Sequence, residues 1–570
     1  MTTTPSIAEV HAELTAPGQP FEMDEVVVRG VPTRVWKHAP PSLRAVLEIS
    51  RAHGGADFLV YEDERWTYER HFRAVARLAG VLRDELGVEK GDRVAIAMRN
   101  FPEWSVAFWA ATAAGAIAVP LNAWWTGAEL AYGLRDSGSV VLFCDAERLD
   151  RLVDELAGIE ALRTVVVARD ERAELPAGAR HFDDALGAVP DDAELPPVDL
   201  DPEDDATIFY TSGTTGFPKG VLGTHRNICT NLMSLGFGAA RAARRATPAD
   251  RPAGEPGPSP RNVHLLSVPF FHATGCHSVL VANLAAGNTI VLMHKWDPGR
   301  ALELIEREGV TNFGGVPAMV WQVIEHRDFD RRDLSSLRGV GYGGAPAAPE
   351  LVRKIEELFP GRHPTNGYGL TETSSVTTLN TGLDYQTHPD SVGVPVPVCD
   401  VIVVGPDGGE LPTGGVGELW IKGPNVVKGY FGKPEATAES FSDGWLHSGD
   451  LGRIDEDGFV YLVDRAKDLL IRGGENISSV EVEAALFEHD AVTDAAVIGI
   501  PHPVLGEEVG AVVHTAPGAS VTEGELRDHV AGRLAAFKVP ARIWFSDEPL
   551  PRNPAGKILK RELKTQLLGN

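Results

Sequence analysis

The chain has 570 residues, with 53 basic and 80 acidic side chains and a formal net charge of -27. That length exceeds one ordinary core, so two or more domains are expected, and so acidic a surface argues against nucleic acid or an anionic membrane as the main partner. Hydrophobic residues at 43% and charged residues at 23% are those of a soluble globular protein, while Cys144, Cys229, Cys276 and Cys399, with no CxxC pair, point to buried thiols in a reducing compartment rather than a disulfide frame or a zinc site.

The first forty residues carry little pattern beyond a strand near 26–29, and no basic region followed by an apolar core marks a secretory signal. From Pro41 the text alternates: helix 43–53, strand 58–61, helix 68–86, strand 93–98. Residues 104–128 are uncharged and long enough to span a bilayer. Gly115, Pro120 and Asn122 interrupt the run, so a buried helix (104–114) entering a buried strand (116–121) is the better reading. Strands at 140–144 and 164–167 follow. Strands alternating with helices imply βαβ units and mostly parallel sheets covered on both faces.

A β-prone run, 206–210, leads into Thr211-Ser212-Gly213-Thr214-Thr215-Gly216-Phe217-Pro218-Lys219-Gly220, which offers three glycines, four hydroxyls and one lysine. Glycine lets a backbone approach a ligand closely, and successive N–H groups, hydroxyls and an ammonium suit a polyphosphate. The spacing is not that of a Walker P-loop. A helix is expected at 227–235. Residues 239–262, with five prolines and Arg241, Arg244, Arg245, Arg251 and Arg261, read as a mobile surface loop, with a lid or lipid-facing patch as the alternative. His272, Cys276 and His277 have no further ligand cluster to make a zinc site.

In Asn366-Gly367-Tyr368-Gly369-Leu370-Thr371-Glu372-Thr373, Tyr368 can lay its ring against a flat base such as adenine. Thr371 can donate to a phosphate, and Glu372 is a hard oxygen ligand suited to Mg²⁺. Beyond 464–467 the sequence reads as a small α+β unit: helix 479–487, strands 492–500 and 509–514, helix 522–534, strand 542–545. A cleft between a large body and such a cap is a common ligand site. Neither Gly-x-Ser-x-Gly nor His-Glu-x-x-His occurs, so serine hydrolase and zinc protease have no support.

The loop 211–220, the 366–373 string, Gly341-Tyr342-Gly343-Gly344-Ala345-Pro346, Trp445-Leu446-His447-Ser448-Gly449-Asp450, Asp464-Arg465-Ala466-Lys467-Asp468, Arg472-Gly473-Gly474-Glu475-Asn476-Ile477 and Pro551-Arg552-Asn553-Pro554-Ala555-Gly556-Lys557-Ile558 follow in an order and spacing that resemble the adenylate-forming superfamily. Within it the chain, from about residue 41 to 563, looks like a class I acyl-CoA synthetase. The resemblance implies an α/β fold with a large N-terminal domain of mixed, mostly parallel sheets flanked by helices (1–464), a hinge (465–467) and a small mobile α+β cap (468–570).

The implied reaction has two steps: a carboxylate attacks the ATP α-phosphate to give acyl-AMP and pyrophosphate, and the coenzyme A thiol then takes the acyl group and releases AMP. By resemblance, Thr211, Ser212, Gly213, Thr214, Thr215, Gly216 and Lys219 hold the phosphates, and Gly343, Gly344 and Ala345 line the adenine and acyl pockets. Asp450 takes the ribose hydroxyls and Arg465 the ribose or phosphate, while His272 lies at the acyl carboxylate. Lys557 serves adenylation, Lys467 is the hinge, and Gly473 and Gly474 reach the cleft for thioester formation. Expected ligands are ATP, Mg²⁺, coenzyme A and a small carboxylic acid; a cytoplasmic protein without an integral membrane segment is expected, with a homodimer as the candidate assembly. The uncharged small walls Gly275, Gly314, Gly315, Val316, Gly341, Gly343 and Gly344 suggest a deep channel and a medium- to long-chain fatty acid. The alternatives are an arylcarboxylate–CoA ligase, an acyl-AMP ligase loading a carrier protein, and a non-catalytic nucleotide-binding homologue.

Overall fold

The computed structural model describes residues 4–211, 217–246, 261–343, 349–359, 364–465, 468–472, 475–516, 518–553 and 556–569. Two large sheets carry the first part of the chain. One has eight strands, in the order Gly429–Tyr430, Lys219–Thr224, Asp205–Thr211, Ile117–Pro120, Arg93–Ala97, Val141–Asp145, Thr164–Ala168, Ala179–His181. The other has nine: Val394–Pro395, Thr378–Thr381, Thr365–Tyr368, Gly339–Gly343, Asn312–Gly315, Val263–Leu265, Thr289–Leu292, Asp57–Tyr61, Glu64–Thr67. Both are parallel through their middle and antiparallel towards an edge. Their central strands are runs such as Val141–Asp145, buried at every residue, as a sheet covered on both faces requires.

The uncharged run is the layer between those sheets. Every residue of helix Pro102–Ala113 is buried. Trp104, Phe108 and Trp109 share one core with Phe58 and Ile290 of the nine-stranded sheet and with Val94 and Phe143 of the eight-stranded one. A helix of this length spans only about 18 Å at 1.5 Å per residue, short of the roughly 30 Å of a bilayer core. No described helix is long and apolar enough to cross a membrane. All four cysteines are free and buried.

A third sheet, Asp400–Val404, Gly417–Lys422, Trp445–Ile454 and Phe441–Ser442, with Val460–Arg465 on Trp445–Ile454, leads towards the C-terminal part. The last sheet begins only at Leu470: Glu475–Ile477, Leu470–Arg472, Gly506–Thr515 and Val492–His502, with Arg542–Ser546 parallel to Gly506–Thr515. Helices Ser479–Phe487 and Glu523–Ala531 cover it, and Leu470, Val482, Leu486, Val513 and Leu526 form a core of its own.

The Arg/Pro-rich stretch departs from expectation. Thr224 caps a helix, His225–Arg245, that runs well into residues expected to be irregular. Arg241 is fully buried and donates to the Leu379 carbonyl, and Arg245 Nε donates to Asp384 Oδ1 at 2.7 Å. Arg241 Nε also stands 3.6 Å from Asp384 Oδ2, and Arg244 pairs with Glu13 at 2.9 Å. These cations at a helix C-terminus oppose the helix dipole favourably; Arg241 and Arg245 are internal ties to Asp384, while the Arg244 pair lies on the surface. Arg261 lies over the Tyr68 ring at 5.7 Å. Residues 247–260, Arg251 included, fall outside the described residues.

Asp384 is 1% exposed and faces two guanidinium groups. Asp384→Ala leaves them without a counter-ion and should cost about 3–5 kcal/mol of folding stability, the loss typical of breaking a buried pair from one side. Urea unfolding measures it; a loss under about 1 kcal/mol would class the pair with surface salt bridges.

Candidate active site

The first motif is the connection of a β-hairpin. Thr211 and Lys219 are directly opposite one another in the antiparallel pair Asp205–Thr211 and Lys219–Thr224. Ser212, Gly213, Thr214, Thr215 and Gly216 lie outside the described residues. Beside this pair runs Gly429–Tyr430, with Tyr430 opposite Val221. The Lys219 ammonium sits 4.9 Å from the Tyr430 ring centre, and the Tyr430 hydroxyl donates to Glu372 Oε1 at 2.9 Å. Tyr430 therefore joins the lysine of the first motif to the carboxylate of the second. Sequence reasoning missed it: Lys428-Gly429-Tyr430-Phe431 is too short to show a period, and an aromatic after a glycine is a weak signal.

Glu372 stands on a single turn, Thr371–Thr373. Burial pushes its carboxyl above the usual carboxylate range, while the Tyr430 hydroxyl and the Arg465 charge pull it down. A carboxylate held in such surroundings gains from a cation. Among the described residues no group of three His, Cys, Asp or Glu side chains could hold a metal unaided. One carboxylate with a neighbouring hydroxyl fits Mg²⁺, which is bound through one or two carboxylates and substrate phosphates.

Asp450 and Arg465 are direct cross-strand partners in Trp445–Ile454 and Val460–Arg465. Arg465 Nε meets Asp450 Oδ1 at 3.0 Å, and the Tyr368 hydroxyl donates to Asp450 Oδ2 at 2.8 Å. The Tyr368–Asp450 bond is another feature the motifs did not reveal. Burial and the adjacent Asp450 carboxylate push the Tyr368 phenol well above its usual range, so it stays a donor. Each Asp450 oxygen keeps a lone pair for a ligand hydroxyl.

A cavity of about 190 Å³ opens at this triad, walled by Tyr368, Asp450 and Arg465 on one side and by Asp494, Arg552 and Lys557 on the other. The last turn of the C-terminal part thus brings its lysine to the residues named 107 positions earlier, at Asp450. Lys467, Gly473, Gly474, Gly344 and Ala345 lie outside the described residues. Gly343 ends strand Gly339–Gly343, where a Cβ would come within 2.6 Å of the Gly367 carbonyl oxygen.

His272 does not line that cavity. It follows Phe271, a wall of a neighbouring cavity of about 140 Å³ that also borders Arg99, Trp124, Lys295 and Trp296. Burial lowers the His272 imidazole to about 4, so the ring is neutral, and its Nε2 has no partner among the described residues. The larger groove of about 980 Å³ along Glu64, Arg70, Glu103 and Arg169 is lined by no residue of any motif.

Two of the expected glycine walls prove to be backbone packing contacts. A Cβ on Gly275 would lie 2.2 Å from the Pro269 carbonyl oxygen, and one on Gly314 would lie 2.3 Å from that of Gly341. Backbone fills the space their missing side chains leave, so these glycines do not open a deep channel.

The chain matches the family model described as AMP-binding enzyme over residues 47–431, and that described as AMP-binding enzyme C-terminal domain over residues 481–557. A feruloyl-CoA synthase of Amycolatopsis sp is 38% identical over 498 residues, 87% of this chain and 93% of that one. A long-chain-fatty-acid–CoA ligase of Bacillus subtilis (strain 168) is 35% identical over 502 residues, 84% and 86% of the two chains. The crystal structure of the anthranilate CoA ligase AuaEII in complex with anthranoyl-AMP superposes with a TM-score of 0.81 at 26% identity, covering 91% of this chain and 96% of that one. On these matches the chain belongs to the AMP-binding enzyme family, as an adenylate-forming acid–thiol ligase of the acyl-CoA synthetase group.

Proposed function

We propose that this protein activates an aromatic carboxylic acid of the hydroxycinnamate kind as its adenylate and transfers the acyl group to coenzyme A. The observation that carries the two-step chemistry is the convergence of Tyr368, Asp450 and Arg465 with Lys557 on one cavity between the large body and the C-terminal part. ATP enters with its ribose hydroxyls on Asp450 and its adenine beside Tyr368. Lys219 and the hydroxyls of the motif that precedes it would serve the β- and γ-phosphates, and Glu372 with Thr371 would hold Mg²⁺, which neutralises phosphate charge when bound. The acid's carboxylate attacks the α-phosphate, pyrophosphate leaves, and the Lys557 ammonium offsets the charge that builds on the α-phosphate. No covalent intermediate on the protein is needed; positioning and charge supply the catalysis. Movement of the cap about Lys467 then withdraws Lys557 and brings Gly473 and Gly474 to the acyl-adenylate for attack by the thiol.

Two considerations favour an aromatic acid over the fatty acid that the glycine pattern suggested. Three of those glycines, Gly275, Gly314 and Gly343, are spent on backbone contacts. The feruloyl-CoA synthase relative and the anthranilate ligase structure both carry aromatic acids in their names. A fatty acid remains the second reading, supported by the Bacillus relative.

Pyrophosphate release over a panel of acids, with and without coenzyme A, separates the readings. Turnover that requires coenzyme A and is greatest with ferulate, coumarate or benzoate is expected; a maximum at palmitate would overturn the aromatic reading, and adenylate formation indifferent to coenzyme A would transfer the protein to carrier loading. Lys557→Ala should lower acyl-adenylate formation by about 10²-fold or more, a typical loss for one charge-stabilising group, while thioester formation from supplied acyl-adenylate persists. Tyr430→Phe removes the hydroxyl from Glu372, a bond to a charged group worth about 1.5–3 kcal/mol. It should weaken ATP use in the first half-reaction only; equal loss in both would refute the assignment of Glu372 to the phosphate side.

A further inference from the structure

We propose that Asp494 and Arg552 are a positioning pair that holds the turn bearing Lys557 at the nucleotide cavity; the inference rests on the reading of Lys557 as the adenylation lysine. Asp494 belongs to strand Val492–His502 and is 6% exposed. Its Oδ1 accepts from Arg552 Nη2 at 2.6 Å and from the Ala495 N–H at 3.1 Å, and its Oδ2 accepts from the Leu550 N–H at 3.3 Å. The other arm of the same guanidinium, Nη1, donates to the Gly556 carbonyl at 2.6 Å. One planar group therefore spans from the cap sheet to the peptide immediately before Lys557. A planar fork of this kind fixes direction as well as distance.

The turn is closed behind that bridge. The Asn553 N–H donates to the Lys557 carbonyl at 2.8 Å, and the Lys557 N–H donates to Asn553 Oδ1 at 2.9 Å. Arg552 and Ile558 form an antiparallel β-bridge across it. A lysine ammonium on a four-carbon stem reaches a reacting phosphate reproducibly only if the backbone it hangs from is fixed. A misplacement of about 1 Å can cost about 10²-fold in rate. Arg552 also borders the cavity, so the rival account is that it touches the nucleotide itself. Its two bonds point instead to the cap strand and to its own turn. Asp494 lies 58 residues before Arg552, which is why no motif spacing announces the pair.

The test is a set of single and double variants of the full-length enzyme, assayed in the two half-reactions separately. Asp494→Asn should lower kcat for acyl-adenylate formation by about 10- to 100-fold, the range of a misplaced catalytic group, with the KM for ATP little changed. Thioester formation from supplied acyl-adenylate should be unaffected, and the thermal midpoint should show that the cap is folded. Arg552→Lys, which keeps the charge at the cavity but cannot span the two acceptors, should behave as Asp494→Asn does. Added to Lys557→Ala, neither change should lower adenylation further, because a group acting through Lys557 has nothing left to position. Equal losses in both half-reactions would show a merely structural pair and overturn the proposal. Full additivity on the Lys557→Ala background would overturn it in favour of direct contact with substrate. Adenylation left intact by Lys557→Ala alone would instead remove the reading on which the proposal stands.

Discussion

The Asp450 carboxylate is the knot on which the site depends. One oxygen takes Arg465 from the facing strand and the other takes the Tyr368 hydroxyl from the end of the nine-stranded sheet, so two sheets are fixed to each other at the cavity wall. Because side chains alternate along a strand, a slip of one residue in Val460–Arg465 would turn Arg465 away from Asp450. The alternation also gives the preceding residue a separate task. Asp464 Oδ2 accepts the Ser479 N–H at 2.6 Å, at the start of the first cap helix. Adjacent residues on one strand thus tie the cavity wall together and bond to the first helix of the C-terminal part.

Three of the cations that border the cavity of this acidic chain are already paired. Arg465 is matched by Asp450, Arg552 by Asp494, and Lys560 by Glu483 at 2.7 Å. An unpaired guanidinium in a closing cleft would lose several kcal/mol of hydration; a paired one stays in place. The overall charge of -27 therefore says little about the site, because the local arrangement decides what binds there.

Much of the architecture was legible because it is written in local patterns. Strand expectations at 58–61, 93–98, 140–144 and 164–167 match observed strands to within about a residue, a margin smaller than assignment methods differ by, while the cap elements were placed in the right order with some ends two or three residues off, as at Gly506–Thr515 and Glu523–Ala531. The motifs carrying Tyr368, Asp450, Arg465 and Lys557 were legible too, since glycine and proline punctuate them. What escaped has a common cause: it depends on partners distant in sequence. Arg241 reads as a surface arginine until Asp384 is packed against it, and Tyr430 gains meaning only from Glu372 on another element. The glycines near 275 and 314 misled for the same reason. A missing side chain signals closeness to something, and the something was the protein's own backbone.

The cap pairs and the Asp464 contact differ in a way that bears on the proposed cycle. Asp494 with Arg552, and Glu483 with Lys560, lie wholly within the C-terminal part, so they move with it and keep the Lys557 turn rigid during any rotation. The Asp464–Ser479 bond has its two ends on either side of residues 466–467, where the hinge is proposed, and must be exchanged when the cap turns. Its Oδ1 also accepts the Arg465 N–H at 2.7 Å, so the carboxylate keeps a partner when Ser479 departs. Ser479 Oγ also donates to Asp464 Oδ1 at 3.3 Å and Ser478 Oγ to the Val463 carbonyl at 2.6 Å; of these ties, the charge-assisted N–H bond alone is worth about 1.5–3 kcal/mol. That is roughly a 10- to 150-fold bias in population, within the range that differential ligand binding readily reverses. A stronger latch would trap the enzyme in its first half-reaction, and a weaker one would leave Lys557 too seldom at the phosphate.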